Sequence, residues 1–448
     1  MATYASRVSA INKDPLIGYL DLQQNPSLRD QFFAPLIHVL ENYSRQKIDC
    51  REISDADFLR LGCWRILSLA QSGRDFIQQQ QEVFDSELKR SSFFATLHSG
   101  RRRNLLIECS WQLYLQGSRE LCRQSDDLLA TFTELKGRPV WAVDGHQIAH
   151  ACHAVKDRKG KHVAPNSLYL LCLHTGLLQN LSPVQGNGIY RHEMPVFRQH
   201  LPHWLQKQPQ RRKDQPPILV LDPAFVDKQF WTRMKMLHSA GAVMITRTTG
   251  NMKPEVYSRF RWDLEKPINL GIQGDFRVGF DGAVAMRWIK YVDPETAEAY
   301  EFLTTEMHLP PGLIAWLYLL RWRIEKVFDT GKNKLLETKA WATGEVAQAI
   351  QAHFLAVTHN LLVLFRHYLQ SEYGIEERKL IQKREHSMNQ RECRAGEEGR
   401  QIHPLHREMP SVVQLSVQFI RTLRNQISQN NSLAASITRL TAMLHAYL

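Results

Sequence analysis

The sequence predicts an α/β protein whose core sheet is interrupted by a β-rich insertion and flanked by helical N-terminal and C-terminal regions. Three observations lead there. "ILVLDPAF" (218–225) and "AVMITR" (242–247) are apolar runs separated by Phe230, Met234 and Leu237 at helical spacing, a strand–helix–strand unit. "FRVGFDGAVAMRWIKYVDPETAEAYEFLTT" (276–305) alternates apolar and polar positions around an Asp281-Gly282 turn, the pattern of antiparallel hairpins. The stretches before about 130 and after about 310 instead show three- and four-residue apolar steps.

In chain order, residues 1–130 read as a helical domain. Phe58, Leu61, Ile66, Leu69 and Phe76 step along a helix that breaks at Ser72-Gly73, and Ser91 or Ser92 is placed to cap a short helix. That helix is expected to end at Gly100 and the triplet Arg101-Arg102-Arg103. Two short helices closing in a basic cluster fit a DNA-reading module, and they equally fit a packing domain with a solvated charge run. "PVWAVDGHQI" is a strand stopped at Asp144-Gly145, and two more strands flank His174-Thr175-Gly176. A helix around 190–208 and a basic, proline-rich linker, "KQPQRRKDQPP", precede the strand that ends at Asp222. A run apolar on both faces fits a central parallel strand, so Asp222 falls at the carboxyl rim where open α/β sheets place their chemistry. The insertion spans about 250–308, too long for a plain connection. Past it, "VAQAIQAHFLAVTHNLLVLFRHYL" is a long apolar helix, 371–410 is charge-rich and reads as a linker or mobile arm, and a last helix closes the chain.

The chain has 448 residues, 43% of them hydrophobic, and a formal net charge of +12. Such an excess favours an anionic partner, with nucleic acid first and an acidic membrane surface second. No apolar run of about eighteen residues occurs, so no transmembrane helix is expected, and the opening residues lack the layout of a signal peptide; with nucleic acid the first choice, no membrane partner is expected. Seven cysteines without a C-x-x-C pair read as reduced cytosolic thiols. His146, His150, His153 and His162 lie close in sequence, but no cysteine spacing accompanies them and a zinc site is not favoured.

The segment "YLLRWRIEKVFDTGK" (318–332) carries the densest chemistry. At ~100° per residue, Tyr318, Arg321, Glu325 and Lys332 share an arc of roughly 60° beside the apolar face of Leu313, Leu317, Leu320, Ile324, Val327 and Phe328. Arg323, Lys326 and Lys334 fall on a separate, solvated back. A carboxylate among two cations and a phenol at the border of the core suits a metal-and-phosphate site, although an Arg–Glu pair four apart is also ordinary intrahelical pairing. Asp144, Asp222 and Glu325 together could bridge two divalent ions for in-line phosphoryl transfer. Mg2+ is the expected ion, two per site, with Mn2+ able to substitute.

Tyr318, Arg321, Glu325 and Lys332 fit Y-x2-R-x3-E-x6-K, the signature of the insertion-sequence family-four group of bacterial DDE transposases, which the chain resembles over about 138–350. "AVDGH" and "LVLDPAF" resemble the family's two aspartate regions in the right order. The resemblance implies an RNase H-like catalytic domain at 138–350 with its β-rich insertion at about 250–308; beyond it, the helical region at 351–448 could serve dimerisation. It implies catalytic and metal-binding roles for Asp144, Asp222 and Glu325. Tyr318, Arg321 and Lys332 would then hold the phosphates of the element's end, and Arg247 would lie near the DNA backbone. An aromatic side chain of the insertion would take a flipped base, with Trp288 the first candidate and Trp262 the second, although either could be a plain core residue. The expected partners are double-stranded DNA, both inverted-repeat ends and target, and a second copy of the chain. The expected location is the bacterial cytoplasm at the nucleoid. A nuclease that cuts without joining, and an inactive DNA-binding regulator, remain the alternatives.

Overall fold

A computed structural model describes residues 19–20, 24–43, 53–84, 90–124, 128–150, 152–156, 159–183, 193–208, 215–248, 252–407 and 415–445. The opening stretch 1–18 and most of the basic linker lie outside these residues.

The N-terminal region is helical, as its periodicity predicts: α1 (Leu28–Tyr43), α2 (Asp55–Leu67), α3 (Gly73–Phe84), α4 (Arg90–Thr96) and α5 (Gly100–Gln124). Ser54 caps α2 by accepting from the Asp57 amide. The break before Gly73 falls where Ser72-Gly73 predicts it. The arginine triplet does not close a short helix; it opens the 25-residue α5. Cations in a first turn oppose the helix dipole, and here a partner on α2 offsets the cost.

The sheet is built from β1 (Val140–Gln147), β4 (Asn166–Cys172), β5 (Leu178–Pro183), β6 (Ile218–Leu221) and β7 (Val243–Arg247), with a small hairpin of β2 (Cys152–Lys156) and β3 (His162–Val163) set apart. Helix α6 (Glu193–Lys207) follows β5, and α7 (Lys228–Met236) joins β6 to β7. Strands β1, β6 and β7 run parallel, while β4 and β5 add antiparallel on the other side of β1. The insertion supplies β8 (Glu255–Arg259), β9 (Ile272–Gly279), β10 (Met286–Val292) and β11 (Ala299–Thr304). These strands extend the same sheet, because β11 pairs antiparallel with β7, Thr304 opposite Ile245. The result is one nine-stranded mixed sheet in the order β5-β4-β1-β6-β7-β11-β10-β9-β8. Arg287, fully buried on β10, is held by Asp275 on β9 at 2.7 and 2.5 Å.

Alternation along β1 sends successive side chains to opposite faces. Trp141 packs edge-to-face on Trp204 of α6, and His146 stacks at 4.5 Å on Phe328 of the other helical layer. That layer contains α8 (Pro311–Leu320) and α9 (Trp322–Asp329), followed by one π-helical turn, Thr330–Lys334. The sequence suggests one continuous helix here. Instead the chain tightens at Arg321, whose amide bonds Tyr318 O and whose carbonyl accepts from Ile324, both three residues apart. All six residues of the predicted apolar face are buried. The predicted solvated back is not uniform. Lys326 is exposed, but Arg323 donates to Leu173 O at 2.6 Å and Lys334 to Leu415 O at 2.6 Å.

Helix α10 (Glu345–Tyr373) runs through the interior, bonding Tyr169 and Gln31, and joins the N-terminal helices and the sheet in one continuous core. The charge-rich stretch expected to be a linker contains a 20-residue helix, α11 (Arg378–Glu397). Its Arg, Lys, Gln and Glu residues are good helix formers, and Arg391 clamps Glu295 in the β10–β11 turn. Short α12 (Pro404–Arg407), then α13 (Val417–Ser428) and α14 (Leu433–His445), end the fold. No helix among the described residues is long and apolar enough to cross a membrane.

Candidate active site

Asp144, Asp222 and Glu325 converge on one guanidinium. Val143 and Leu221 are register partners on parallel β1 and β6, so the residues that follow them, Asp144 and Asp222, sit side by side where that pairing ends. Asp222 also caps the short turn Pro223–Phe225, its Oδ1 accepting from the Ala224 amide at 3.0 Å, which orients the carboxylate at the rim. Glu325 comes from the first turn of α9. Arg321 lies 3.2 Å from Asp144 Oδ2, 2.9 Å from Glu325 Oε1 and 4.0 Å from Asp222 Oδ2. Its side chain is 5% exposed, against 20%, 39% and 35% for Asp144, Asp222 and Glu325.

Burial is the largest influence on the Asp144 carboxyl and lifts its pKa from 3.8 to about 6; Arg321 and the Gly145 amide oppose the rise, while Glu193 and Asp222 add to it. Burial alone would lower the Arg321 pKa, but Tyr318, Asp144, Glu325 and Asp222 hold it above its ordinary value. Tyr318 is itself buried, packed on Phe302 at 5.2 Å, and its hydroxyl pKa is raised by that burial against the pull of Arg321 and Arg247. The structure thus gathers Tyr318, Arg321 and Glu325 as the sequence groups them, and brings Arg247, exposed at the end of β7, close by. Lys332 is half-buried in the π-helical turn near His146. Burial first, and Lys332 second, depress the His146 pKa to about 3; both of its ring nitrogens are buried without a hydrogen-bond partner.

Other candidates stand elsewhere. Arg102 is buried, bonding Asp55 and the carbonyls of Ile53 and Ser54, and Arg101 pairs with Asp55 at 2.7 Å. These two guanidinia fasten α5 to α2, and a buried carboxylate competes with any DNA phosphate for them. Arg103 bonds the neighbouring Asn104. Trp288 is half-buried against the core, and Trp262 lies under Arg287, whose Cζ is 5.1 Å from the ring centre. His150 donates its amide to Thr338 O, while the side chain of His153 lies outside the described residues.

Two residues carry no signal in the motif spacing. Glu193, first in α6, accepts from Asn166 at 3.0 Å and reaches across Gly145 beside Asp144; a Cβ on Gly145 would stand 1.7 Å from its Oε1. Trp322 is 54% exposed next to Arg321, whose Cζ is 5.5 Å from its ring centre.

The donor set suits a hard divalent cation, since it consists of partly exposed carboxylate oxygens. As arranged, however, no group of three or more His, Cys, Asp or Glu among the described residues is set to hold a metal ion. The Arg321 guanidinium reaches toward all three acids instead.

Fold and site define an α/β protein with a carboxylate centre at the carboxyl rim of its parallel strands. Residues 136–361, just over half the chain, match the family described as the transposase DDE domain, and the chain belongs to that family. No curated protein matches. Among solved structures it is similar to the piggyBac transposase in a synaptic complex with hairpin DNA, determined by cryo-EM, with a TM-score of 0.40 and 10% identity over 95% of this chain and 80% of that one.

Proposed function

We propose that the protein is an insertion-sequence transposase of the family-four group, which binds the ends of its element and cuts and joins DNA at the centre formed by Asp144, Asp222 and Glu325. The observation that carries this reading is the approach of those three carboxylates to one guanidinium at the ends of two adjacent parallel strands. An RNase H-like core is supported by the order β5-β4-β1-β6-β7, with β1, β6 and β7 parallel and the carboxylates at one end.

Asp144, Asp222 and Glu325 are the residues to hold Mg2+, with Mn2+ as a substitute. When bound, the ions supply Lewis-acid activation of the attacking oxygen and charge stabilisation on the leaving 3′-oxygen. The chain's own work is positional. The strand ends fix two acids, α9 brings the third, and Tyr318, Arg321, Lys332 and Arg247 hold phosphate oxygens in line. The net charge of +12 favours an anionic partner such as duplex DNA. Two such sites in a homodimer would pair the two ends.

The test is end-labelled duplex carrying the DNA that flanks the reading frame, incubated with Mg2+ and either the wild type or Glu325→Gln. The expected result is cleaved and joined products from the wild type, with at least a ~10³-fold loss in the variant. Cleavage without joining would replace the transposase with a nuclease. Equal rates in both proteins would remove Glu325 from the chemistry.

A further inference from the structure

Arg321 stands in the place where its three neighbouring carboxylates would meet a cation. Both terminal nitrogens are used there: Nη1 on Asp144, and Nη2 on Glu325 at 2.9 Å with Asp222 at 4.0 Å. Its remaining donor, Nε, is buried with no hydrogen-bond partner. A guanidinium committed to phosphate cannot also cap three acids. A divalent ion cannot take the same carboxylate oxygens while a positive charge sits among them. The surroundings offer a route between these two states. The guanidinium lies over the rings of both Tyr318 and Trp322, with Cζ 5.7 and 5.5 Å from their centres, and Trp322 opens to solvent. Aromatic faces hold a guanidinium at several points along its path. The backbone tightening at Arg321 and the π-helical turn after α9 are irregularities of the kind that accompany rearranging sites.

We propose that Arg321 is an internal counter-ion which closes the carboxylate centre to divalent metal in the free protein. A DNA phosphate then draws the guanidinium away and opens the centre. Metal binding and DNA binding thereby become one coupled equilibrium, and the free protein holds divalent metal weakly until DNA is bound. This inference rests on the carboxylates being the metal ligands. By linkage, whatever factor DNA adds to metal affinity, metal adds to DNA affinity.

The experiment is a Mn2+ titration of the full chain without DNA, followed by calorimetry and by loss of the free-ion paramagnetic signal. Arg321→Gln, which removes the charge but keeps hydrogen bonding, is expected to bind Mn2+ about 5- to 150-fold more tightly than the wild type. Arg321→Lys keeps the charge without the fork and is expected to fall between them. A role limited to structure or to phosphate contact would leave Mn2+ affinity unchanged or lower it, and either result in a folded variant overturns the proposal. Should the variants not fold, the wild type decides. Its Mn2+ affinity is expected to rise by a similar factor when duplex DNA from the flank of the reading frame is added, and no rise overturns the proposal. If neither the wild type nor any variant binds Mn2+, with or without duplex, the metal-centre reading fails and the counter-ion proposal fails with it. Equal binding by all of them sinks the counter-ion proposal alone.

Discussion

Replacing Asp144 by Asn should stabilise the metal-free protein at neutral and alkaline pH. Burial dominates at this carboxyl and raises its pKa from 3.8 to about 6, even with Arg321 at 3.2 Å. The fold therefore favours the protonated acid. Its contribution to stability is complete below the unfolded value and is lost as pH rises through about 6. A rise of roughly two pKa units corresponds to about 3 kcal/mol of penalty once the acid is ionised. Asn has nearly the same shape and does not titrate, so it escapes that penalty. Its stability relative to the wild type should accordingly grow by about 3 kcal/mol between about pH 4 and pH 8, a few degrees in melting temperature. The assay is thermal unfolding of both proteins in chelator across that range. If the variant instead loses ground as pH rises, the ion pair with Arg321 outweighs burial and the reasoning is wrong. A gain would also mean that the carboxylate centre is kept at a cost to stability, as expected of groups retained for chemistry.

Arg102→Ala removes one of the two guanidinia that meet the buried Asp55, leaving Arg101 on it, and takes a donor from the carbonyls of Ile53 and Ser54; it should cost about 1.5–3 kcal/mol, seen as a lower unfolding midpoint, while the salt dependence of DNA binding stays unchanged. A shallower salt slope would restore Arg102 as a phosphate contact. Gly145→Ala places a Cβ against the Glu193 carboxylate, so cleavage should drop at least ~10-fold with the melting temperature little changed, and full activity would show that Glu193 has no part in the site. Lys332→Ala should weaken DNA binding and reduce the slope of log affinity against log salt by about 1, with Mn2+ affinity retained. Loss of Mn2+ affinity in that variant would mean that its role is wrongly assigned.

Much of the core could be read from local pattern. The apolar runs at 218–221 and 243–245 are strands of the parallel set, and the alternation at 276–305 forms antiparallel ladders. Both follow because side-chain period and secondary structure are linked within a few residues. The helix carrying Glu325 and its apolar face were legible for the same reason. Local pattern failed where the partner is remote. Arg101 and Arg102 look like a basic patch until Asp55, 46 and 47 residues away, is folded against them. The charges of 378–397 fit a linker or a solvated helix equally well, and the Glu295–Arg391 clamp selects the helix.

What the sequence determined by itself was the inventory: two strand-end aspartates, a helical glutamate, and the Tyr-Arg-Glu-Lys spacing, all within the stretch that matches the transposase DDE family. Tertiary structure alone decided three things. The insertion continues the central sheet through the β7–β11 pairing, Glu193 joins the site across a residue with no side chain, and Arg321 occupies the middle of the acids. The physical reason is separation along the chain. Arg321 and Asp144 are 177 residues apart, and whether a guanidinium faces solvent or a carboxylate depends on which surfaces the fold buries together.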